Sequence, residues 1–380
     1  MLNALFLDPR ASGGVDTYLR GLAPALHRMR PEMRIEIATT RRGARALEDA
    51  GWAEWATILV FRCDEGQRLQ RQWAEQVALP VTARRRGVDL VHSLASVGPV
   101  WTPRLRHVVT LHDVTFFREQ TFGRVTTAGF KAVMRAAARD ADAGLVVTGV
   151  ARDDIADVLG LRREALTVVH HGRTPVGPRA AVADGSSSRA RLGVGPGRLV
   201  VCVGAKRPHK NQELLLDALP FLAPDVEVVL VGHPELYETQ LRAQADRAGV
   251  ADRVRFLDYV PDEDLDALWA IAACAAFPTR AEGFGLPILE AMERGVPIAC
   301  SDLPVLREVA GEIPHYFSPT DPRACATAIT AALDDHGRLD AGRRRAASFT
   351  WASAAAATLA TYEQAMGTAA RLGWGSGLVS

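Results

Sequence analysis

The sequence predicts an α/β protein built from two Rossmann-like domains that face each other across a cleft. The length of 380 residues suits two domains, and short apolar runs alternate with amphipathic segments in both halves. A polar, glycine-rich stretch separates the two series. We expect a first domain at 1–175, a linker at 176–197, a second domain at 198–350 and a C-terminal helix and tail at 351–380.

The first half alternates buried-strand runs with helical patterns. The segment VDTYLRGLAPALHRM repeats apolar residues at helical spacing, and RVTTAGFKAVMRAAARDA and ARDDIADVLG are typical of further helices. This order predicts a parallel sheet with helices on both faces and a ligand outside the carboxyl ends of its strands. The predicted strands are NALFLD, RIEIATT, DLVHSL, HVVTLHD, AGLVVTG and LTVVHHG.

The second half repeats the alternation after the stretch 181–198, which has no periodicity and predicts a linker or surface loop. The final segment, WASAAAATLATYEQAMGTAARLG, predicts a long alanine-rich helix that we expect to return to the first domain. The predicted strands are LVVCVGA, VEVVLVG, VRFLDYV, CAAFPT and VPIACSD, and the predicted helices are NQELLLDALPFL, ELYETQLRAQADRAG, DEDLDALWAIA and LPILEAMERG.

Composition excludes several classes of protein. The N-terminal run MLNALFLDPR has no basic flank and predicts a buried first strand rather than a signal peptide. No window approaches the roughly 18–20 apolar residues of a membrane span. Five scattered cysteines without a C-x-x-C pair favour free thiols in a reducing cytoplasm over a zinc site. We therefore expect a cytoplasmic protein with no bound metal and no nucleic-acid partner.

The net charge of +1 hides an asymmetry between the halves. Residues 1–175 hold 25 basic and 19 acidic side chains, whereas residues 176–380 hold 20 and 25. The excess of arginine in the first half predicts contact with an anionic partner, such as a phosphorylated acceptor or the inner face of a membrane. The alternative is variation in solvated surface charge, and composition does not decide between the two.

The strongest chemical signal follows the predicted strand CAAFPT. Gly283 and Gly285 let the backbone approach a ligand closely, and Pro287 suits the first turn of a helix. The amides near Phe284, Gly285 and Leu286 then lie at the positive end of that helix, where hydroxyls or phosphates bind.

Two glutamates flank this turn, Glu282 before it and Glu290 about one turn into the helix. Each carboxylate accepts two hydroxyl hydrogen bonds, so the pair suits the two ends of an elongated polyol. A nucleotide sugar has hydroxyls on its hexose, a diphosphate, and hydroxyls on its ribose. The alternative is a surface glutamate plus a glutamate that interacts with the helix dipole.

A second signal is VGAKRPHKNQELLLDA, a strand, a basic loop and a helix. Lys206, Arg207, His209 and Lys210 lie in the loop, at the predicted mouth of the sheet. Cations beside amide donors suit a diphosphate leaving group. Only three lysines occur in the chain, and two of them lie here. The alternative is a solvated basic turn whose helix is capped by Asn211.

Weaker signals lie in the first half. Gly13 and Gly14 precede a helix at the end of the first predicted strand, which leaves amides available for an anion. His112 and Asp113 close another strand and should face the ligand, although a packed or solvent-exposed histidine is an equal alternative. The HHG at 170–172 ends a further strand and is more typical of structural histidines.

Together these motifs resemble the GT-B-fold retaining glycosyltransferases of family 4 over nearly the whole chain. The E-x7-E signature of that family matches Glu282 and Glu290 in EGFGLPILE, VGAKRPHKN resembles its phosphate-binding loop, and SGGVDTYLRGL and VTLHD match its N-terminal positions. The resemblance implies transfer of a hexosyl group, with a lean towards mannosyl, from a nucleoside diphosphate sugar to a sugar, lipid-linked or small-molecule acceptor. It also implies retention through a front-face, oxocarbenium-like substitution with neither a metal nor a cofactor.

The same resemblance assigns a role to each matched residue. Glu290 would hold the ribose, Lys210 the diphosphate, and His112 the hexose near the reacting centre. Glu282 would hold the donor hexose together with the Gly283–Leu286 turn, including the Phe284 and Gly285 amides. Lys206 or Arg207 would assist Lys210, and Gly14 would offer its amide to the diphosphate. The sequence has no D-x-D cluster for a metal, and the acidic DEDLD at 262–266 is typical of a helix start.

Two other functions use the same features. A nucleotide-sugar 2-epimerase of the same fold has a related diphosphate site but needs acids placed for proton abstraction, which the E-x7-E pattern does not favour. A non-catalytic nucleotide-sugar-binding protein is the second alternative. Product analysis without an acceptor distinguishes the epimerase, and donor turnover with an acceptor excludes the binding protein.

Overall fold

The computed structural model describes residues 1–8, 13–63, 68–102, 104–118, 124–173 and 185–367. The chain forms two compact units. The first comprises Met1–Gly172 together with Thr350–Ser380, and the second is Arg173–Phe349. Each unit is a parallel sheet with helices, which confirms the predicted α/β class.

The first unit contains a seven-stranded sheet in the order β3-β2-β1-β4-β5-β6-β7. All strand pairs are parallel, and β1 pairs with both β2 and β4. The strand order therefore reverses at β1, where doubly wound sheets bind ligands. The strands are β1 (Leu2–Asn3), β2 (Glu36–Thr39), β3 (Thr57–Val60), β4 (Leu90–Ser93), β5 (Arg106–Leu111), β6 (Ala143–Val146) and β7 (Leu166–Val168).

In the described part of the first unit, seven α-helices lie between these strands. A π-helical segment at Ala74–Ala78 joins two of them, so that residues 68–85 run as one helical stretch. The helices are α1 (Gly14–Met29), α2 (Arg41–Asp49), α3 (Arg68–Trp73), α4 (Leu79–Arg85), α5 (Thr115–Arg118), α6 (Arg124–Asp140) and α7 (Gly149–Leu159).

The second unit contains a six-stranded parallel sheet in the order β10-β9-β8-β11-β12-β13. The strand order reverses between β8 and β11, so the carboxyl ends of these two strands mark the expected ligand position. The strands are β8 (Arg198–Val203), β9 (Val226–Val231), β10 (Val254–Leu257), β11 (Ala272–Phe277), β12 (Ile298–Ser301) and β13 (His315–Phe317).

The helices of the second unit start inside the predicted linker. They are α8 (Gly185–Leu192), α9 (Glu213–Ala218), α10 (Tyr237–Arg247), α11 (Asp262–Ile271), α12 (Leu286–Arg294), α13 (Pro304–Ala310), α14 (Pro322–Asp334) and α15 (Leu339–Ala347).

Helix α8 lies within the stretch 181–198, for which the sequence predicted a linker or surface loop, so part of that stretch is regular. Its polar sequence buries only Ser188 and Leu192, which lie four residues apart, and the helix contacts α11. An ion pair of 2.8 Å joins Arg191 to Asp264 on α11. One helical turn of burial was too short to appear as periodicity in the sequence. The remainder of the predicted linker, up to residue 184, lies outside the described residues.

The C-terminal helix, α16 (Trp351–Gly367), packs against α1 of the first unit, as the predicted fold class required. Its buried residues Trp351, Leu359 and Tyr362 join the same apolar core as Tyr18 and Leu22. A β-carbon on Gly21 would lie 2.0 Å from the Trp351 ring, so α1 needs glycine at this crossing. The predicted tail beyond this helix lies outside the described residues.

Candidate functional site

The turn before α12 has the geometry that its glycines predicted. Gly285 immediately precedes the helix with φ +96°, a left-handed conformation that favours glycine. A β-carbon at this position would also lie 3.1 Å from Leu306 Cδ2. Pro287 lies in the first turn, and Phe284 is buried edge-on against Phe349 with ring centroids 5.9 Å apart. The Phe284 side chain thus anchors the turn, and the first amides of α12 lack intrahelical acceptors.

Lys210 and Glu282 lie together beside this turn. Lys210 Nζ donates to Glu282 Oε2 at 2.6 Å, and the two side chains are about a quarter and a fifth exposed. Burial alone would raise the pKa of Glu282, but the Lys210 ammonium, His209 and the Gly283 amide outweigh it and lower that pKa. Glu282 is therefore a carboxylate at neutral pH, with its charge balanced by Lys210.

The loops after β8 and β11 hold this pair in place through backbone contacts. Asn211 follows the short turn that carries Lys210 with φ +56°, and its Nδ2 donates to the carbonyls of Pro278 and Pro319 at 2.8 and 2.9 Å. The Thr279 hydroxyl and the Arg280 amide donate to the His209 carbonyl at 2.9 and 2.8 Å. Hydrogen bonds therefore join the loops that follow β8 and β11, the two strands at which the strand order reverses.

Lys206 lies differently from the expectation that it faces a diphosphate. Its side chain is fully buried, and Nζ donates to the carbonyls of Gly232 at 2.6 Å and Leu257 at 2.7 Å. The third contact is the Glu238 carboxylate at 3.1 Å. Burial lowers the pKa of Lys206, and Glu238 opposes that shift. The ammonium thus has two carbonyl acceptors and one ion-pair partner, so Lys206 joins the ends of β9 and β10 to α10 and does not belong to the proposed binding site.

We expect Lys206→Met to destabilise the protein without weakening nucleotide binding. The change leaves two carbonyls without their donor and removes a cation from Glu238, although Arg242 still contacts Glu238 at 2.6 Å. The free energy of unfolding should fall by about 3–5 kcal/mol, measured by urea denaturation. Arg207→Met is the matched control for stability, since its exposed ion pair should contribute little to the free energy of unfolding. If Lys206→Met has normal stability but has lost nucleotide binding, Lys206 belongs to the binding site.

Arg207 forms an exposed ion pair with Glu235. Its Nε and Nη2 donate to one carboxylate oxygen at 3.0 and 2.7 Å, and both side chains are more than a third exposed. An exposed pair of this kind contributes little to stability. Arg207 can therefore leave Glu235 at small cost, and its role of assisting Lys210, which the family resemblance implies, stays a prediction.

Glu290 lies in α12 with a carboxylate that accepts no hydrogen bond from any described residue. Burial raises the pKa of Glu290 to about 7, Arg294 opposes this, and Asp262 and Asp266 add to it. The Arg294 guanidinium pairs with Asp266 instead. Glu290 is thus a half-buried acceptor with no internal donor, which suits the hydroxyl contact expected of it.

The remaining predicted residues belong to the first unit. Gly14 is the first residue of α1, and the preceding residues 9–12 lie outside the described part of the chain. His112 follows β5 and donates from Nε2 to the Leu94 carbonyl at 2.6 Å, and its backbone amide donates to the Ser96 hydroxyl oxygen at 3.0 Å. Burial lowers the pKa of His112, although the Leu94 carbonyl and Asp113 oppose the shift. The imidazole is therefore neutral at pH 7.

Sequence reasoning missed the residues that hold His112 in place. The Tyr18 ring lies edge-on to it at 5.3 Å between centroids, and His171 lies at 5.5 Å. His171 belongs to the HHG segment, for which a structural role was favoured, and it is buried. Tyr18 lies in the segment VDTYLRGLAPALHRM, whose periodicity predicts only an apolar helix face.

No group of three or more metal-ligating side chains occurs among the described residues. The acidic segment at 262–266 opens α11, as predicted, so its carboxylates lie at a helix N-terminus. No helix within the described ranges is long and apolar enough to cross a membrane.

Two family models match the chain and together cover most of it. The model described as "Glycosyltransferase Family 4" matches residues 12–175, and "Glycosyl transferases group 1" matches residues 187–348. The second match contains Lys210, Glu282 and Glu290. The chain belongs to glycosyltransferase family 4.

Among curated relatives, this family 4 glycosyltransferase is 33% identical over 248 residues to the MMP α-(1→4)-mannosyltransferase of Mycolicibacterium hassiacum, covering 63% of this chain and 58% of that one. It is 32% identical over 213 residues to the phosphatidyl-myo-inositol mannosyltransferase of Mycobacterium tuberculosis, covering 51% and 55%. The chain thus spans a little over half the length of these two relatives.

Among solved structures, HepE of Anabaena in complex with UDP-glucose matches the family 4 chain with a TM-score of 0.76. The identity is 21%, and the match covers 95% of this chain and 98% of that one. At this identity the likeness shows the fold, which is GT-B.

Proposed function

We propose that this protein is a metal-independent, retaining hexosyltransferase that uses a nucleoside diphosphate sugar, with mannose as the favoured sugar. The observation that carries the proposal is the Lys210–Glu282 pair at the N-terminus of α12, together with the carboxylate of Glu290 in the same helix, which accepts no hydrogen bond within the described part of the chain. The mannosyltransferase activity named for both curated relatives supports the choice of sugar.

In this proposal Lys210 leaves part of its contact with Glu282 for the diphosphate. The Lys210 ammonium and the first amides of α12 then neutralise the charge that develops on the leaving phosphate oxygen. Glu282 accepts hydroxyls of the hexose, which lies next to the diphosphate in the donor, and Glu290 accepts those of the ribose. These contacts supply the charge stabilisation that a metal supplies in other transferases.

The proposed transfer proceeds on one face of the sugar. The bond between the anomeric carbon and the phosphate oxygen breaks, and the acceptor hydroxyl forms its bond from the same side. The acceptor proton passes to the departing phosphate oxygen, so no covalent enzyme intermediate forms. By the resemblance, the Gly14 amide contacts the diphosphate and neutral His112 contacts the hexose.

Nucleotide binding tests the donor assignment directly. Thermal shift with UDP, GDP, dTDP and ADP, each with and without EDTA, should give a selective stabilisation that EDTA leaves unchanged. Stabilisation that EDTA abolishes contradicts metal independence, and no stabilisation by any nucleotide contradicts the donor site. Conversion of the nucleotide sugar to its 2-epimer without an acceptor would favour the epimerase.

We further propose that the first unit contacts an anionic membrane surface, where a lipid-linked acceptor would be found. The helical stretch 68–85 exposes an apolar row, with Leu69 81% and Trp73 61% exposed, and buries Leu79 on its opposite side. Trp101 is 69% exposed on a loop bonded to the same stretch through Gln76. Exposed Arg84 and Arg85 at the end of the same stretch, and exposed Arg104 three residues after Trp101, supply positive charge to this surface.

Sedimentation with phosphatidylcholine vesicles, with and without phosphatidylglycerol, tests this surface. We expect binding only to the anionic vesicles and a loss of about tenfold in affinity for Trp73→Ser/Trp101→Ser, because two rings lose apolar burial. Leu236→Ser is the matched control, since Leu236 is 94% exposed in the second unit. If both variants bind the anionic vesicles equally well, the apolar row does not contact the membrane. If the wild type is a dimer and only the tryptophan variant is a monomer, the row instead contacts a second copy of the protein.

A further inference from the structure

A chain of buried hydrogen bonds runs from the C-terminal helix to α1. The Tyr362 hydroxyl lies 2.6 Å from His92 Nδ1, His92 Nε2 lies 2.7 Å from the Thr110 hydroxyl, and Thr110 lies 3.0 Å from the Tyr18 hydroxyl. All four side chains are buried. They come from α16, β4, β5 and α1, so the chain joins four elements that are distant in sequence.

The chain ends beside His112. Tyr18, its last member, lies edge-on to the His112 ring and 4.8 Å from the His171 ring. The Trp351 ring, also on α16, lies 6.1 Å from Tyr18. Within the described residues, the hydroxyl of Tyr18 contacts only Thr110, so this one bond and the ring contacts fix where Tyr18 lies against His112.

At any moment, the donors along this chain of hydrogen bonds all point the same way. Burial keeps the pKa of His92 well below its usual value, so the ring is neutral, with one nitrogen donating and the other accepting. The hydroxyls of Tyr362 and Thr110 must match that choice, and reversal requires every proton to move together. Removing the hydroxyl at one end therefore changes the hydrogen-bond pattern at the other.

We propose that Tyr362 is a positioning residue for His112, acting through His92, Thr110 and Tyr18. The C-terminal helix thereby contributes to the orientation of the imidazole that would contact the transferred hexose. This inference rests on the proposed function for the role of His112, but the hydrogen-bond chain itself does not.

Tyr362→Phe is the informative change, since it removes the hydroxyl and keeps the ring against His92. We expect kcat for GDP release from GDP-mannose, or UDP release from UDP-glucose, to fall about tenfold, with KM unchanged, because one buried hydrogen bond is lost at a distance from the nucleotide contacts. Thr361→Val is the matched control. Thr361 is the adjacent buried hydroxyl of the same helix, but it donates to Ala357 within that helix.

A double-mutant cycle separates positioning from general loosening of the core. Tyr18→Phe also keeps its ring, and the double variant Tyr18→Phe/Tyr362→Phe should lower kcat no further than either single change. Independent, additive effects would overturn the proposal. Urea denaturation of each variant reports whether the fold is intact.

The NMR signals of the His112 ring give a readout that does not depend on activity. In the wild type Nε2 carries the proton that is donated to Leu94, and the ring signals should shift in Tyr362→Phe but not in Thr361→Val. If Tyr362→Phe shifts the His112 signals but the wild type turns over no donor, the positioning role of Tyr362 is supported and the proposed function is contradicted. Unchanged His112 signals and normal turnover in Tyr362→Phe would overturn the positioning role of Tyr362 without contradicting the proposed function.

Discussion

Lys210→Ala is expected to lower nucleotide-sugar turnover by about 10²–10³, with little change in protein yield. The loss follows from the position of the ammonium, which lies at the carboxyl end of β8 beside the first turn of α12. A phosphate leaving group beside that turn would lose the ammonium that neutralises it, and removing one such charge-stabilising group costs about 3–4 kcal/mol of transition-state stabilisation. Steady-state release of the nucleoside diphosphate measures the effect.

A companion variant makes the Lys210 result specific. Arg207→Ala removes a neighbouring cation that already pairs with Glu235 in solvent, so its turnover should fall by less than about tenfold. Near-normal turnover of Lys210→Ala, or an equal loss in both variants, would contradict the assignment of the leaving-group contact to Lys210.

Stability gives an independent check on the same pair. Without Lys210, the carboxylate of Glu282 keeps its burial but loses its counter-charge, so the pKa of Glu282 should rise. In the wild type that pKa is lowered, so the pair stabilises the fold above the unfolded pKa of Glu282 and less as the pH falls through the folded one. Lys210→Ala/Glu282→Gln should therefore recover the stability lost by Lys210→Ala but not its turnover.

Most of the strands that the sequence predicted are buried on both faces, although the partly buried edge strands β7 and β10 were also predicted. Strands β8 and β9 are almost wholly apolar, and each was visible as a continuous run. Strands β3 and β13 were missed. Both lie at sheet edges, where Thr57 and Val60 are exposed and His315 and Tyr316 are only partly buried. A short edge strand is set by pairing with its neighbour, which a local pattern does not record.

The binding loop shows a similar limit. The sequence placed Lys206 and Lys210 in one basic loop, but nothing local separates an ammonium that faces solvent from one that faces the sheet. The acceptors that hold Lys206 are carbonyls at Gly232 and Leu257, 26 and 51 positions later in the chain. The partner of Lys210, Glu282, is also distant in sequence, but the glycine-rich motif around Glu282 predicted a ligand site. A motif could therefore predict where a ligand site lies, whereas nothing local predicted the direction of each lysine side chain.

The contacts around His112 could not be predicted for the same reason. His92, Thr110 and Tyr362 each lie in a segment whose apolar neighbours predicted only a strand or a helix. Their polar atoms meet because the C-terminal helix packs on α1, and that packing depends on Trp351 and Gly21. Tertiary packing therefore created a polar chain from residues that had no local signature.

Glu290→Gln should weaken nucleotide binding most at alkaline pH. The Glu290 carboxylate would accept two ribose hydroxyls, whereas the amide offers one acceptor and turns a donor towards them. Hydrogen bonds to a charged group contribute about 1.5–3 kcal/mol, so the dissociation constant at pH 8 should rise by roughly 10–100-fold. Isothermal titration of the selected nucleoside diphosphate measures the change, and the pH dependence identifies its source.

That dependence follows from a pKa of about 7 for Glu290. Ribose hydroxyls favour the ionised carboxylate, so wild-type affinity should rise between pH 6 and pH 8, and Glu290→Gln should remove the rise.

The stability of the fold should change with pH in the opposite direction. Since the folded pKa is raised from 4.5, folding binds a proton between these values, and the wild type loses up to about 3 kcal/mol of stability as the pH rises from 4.5 through 7. Glu290→Gln should lack this loss in urea denaturation. A variant with unchanged pH profiles in both measurements would show that Glu290 is not the group that titrates, and would remove the main physical reason for placing the ribose there.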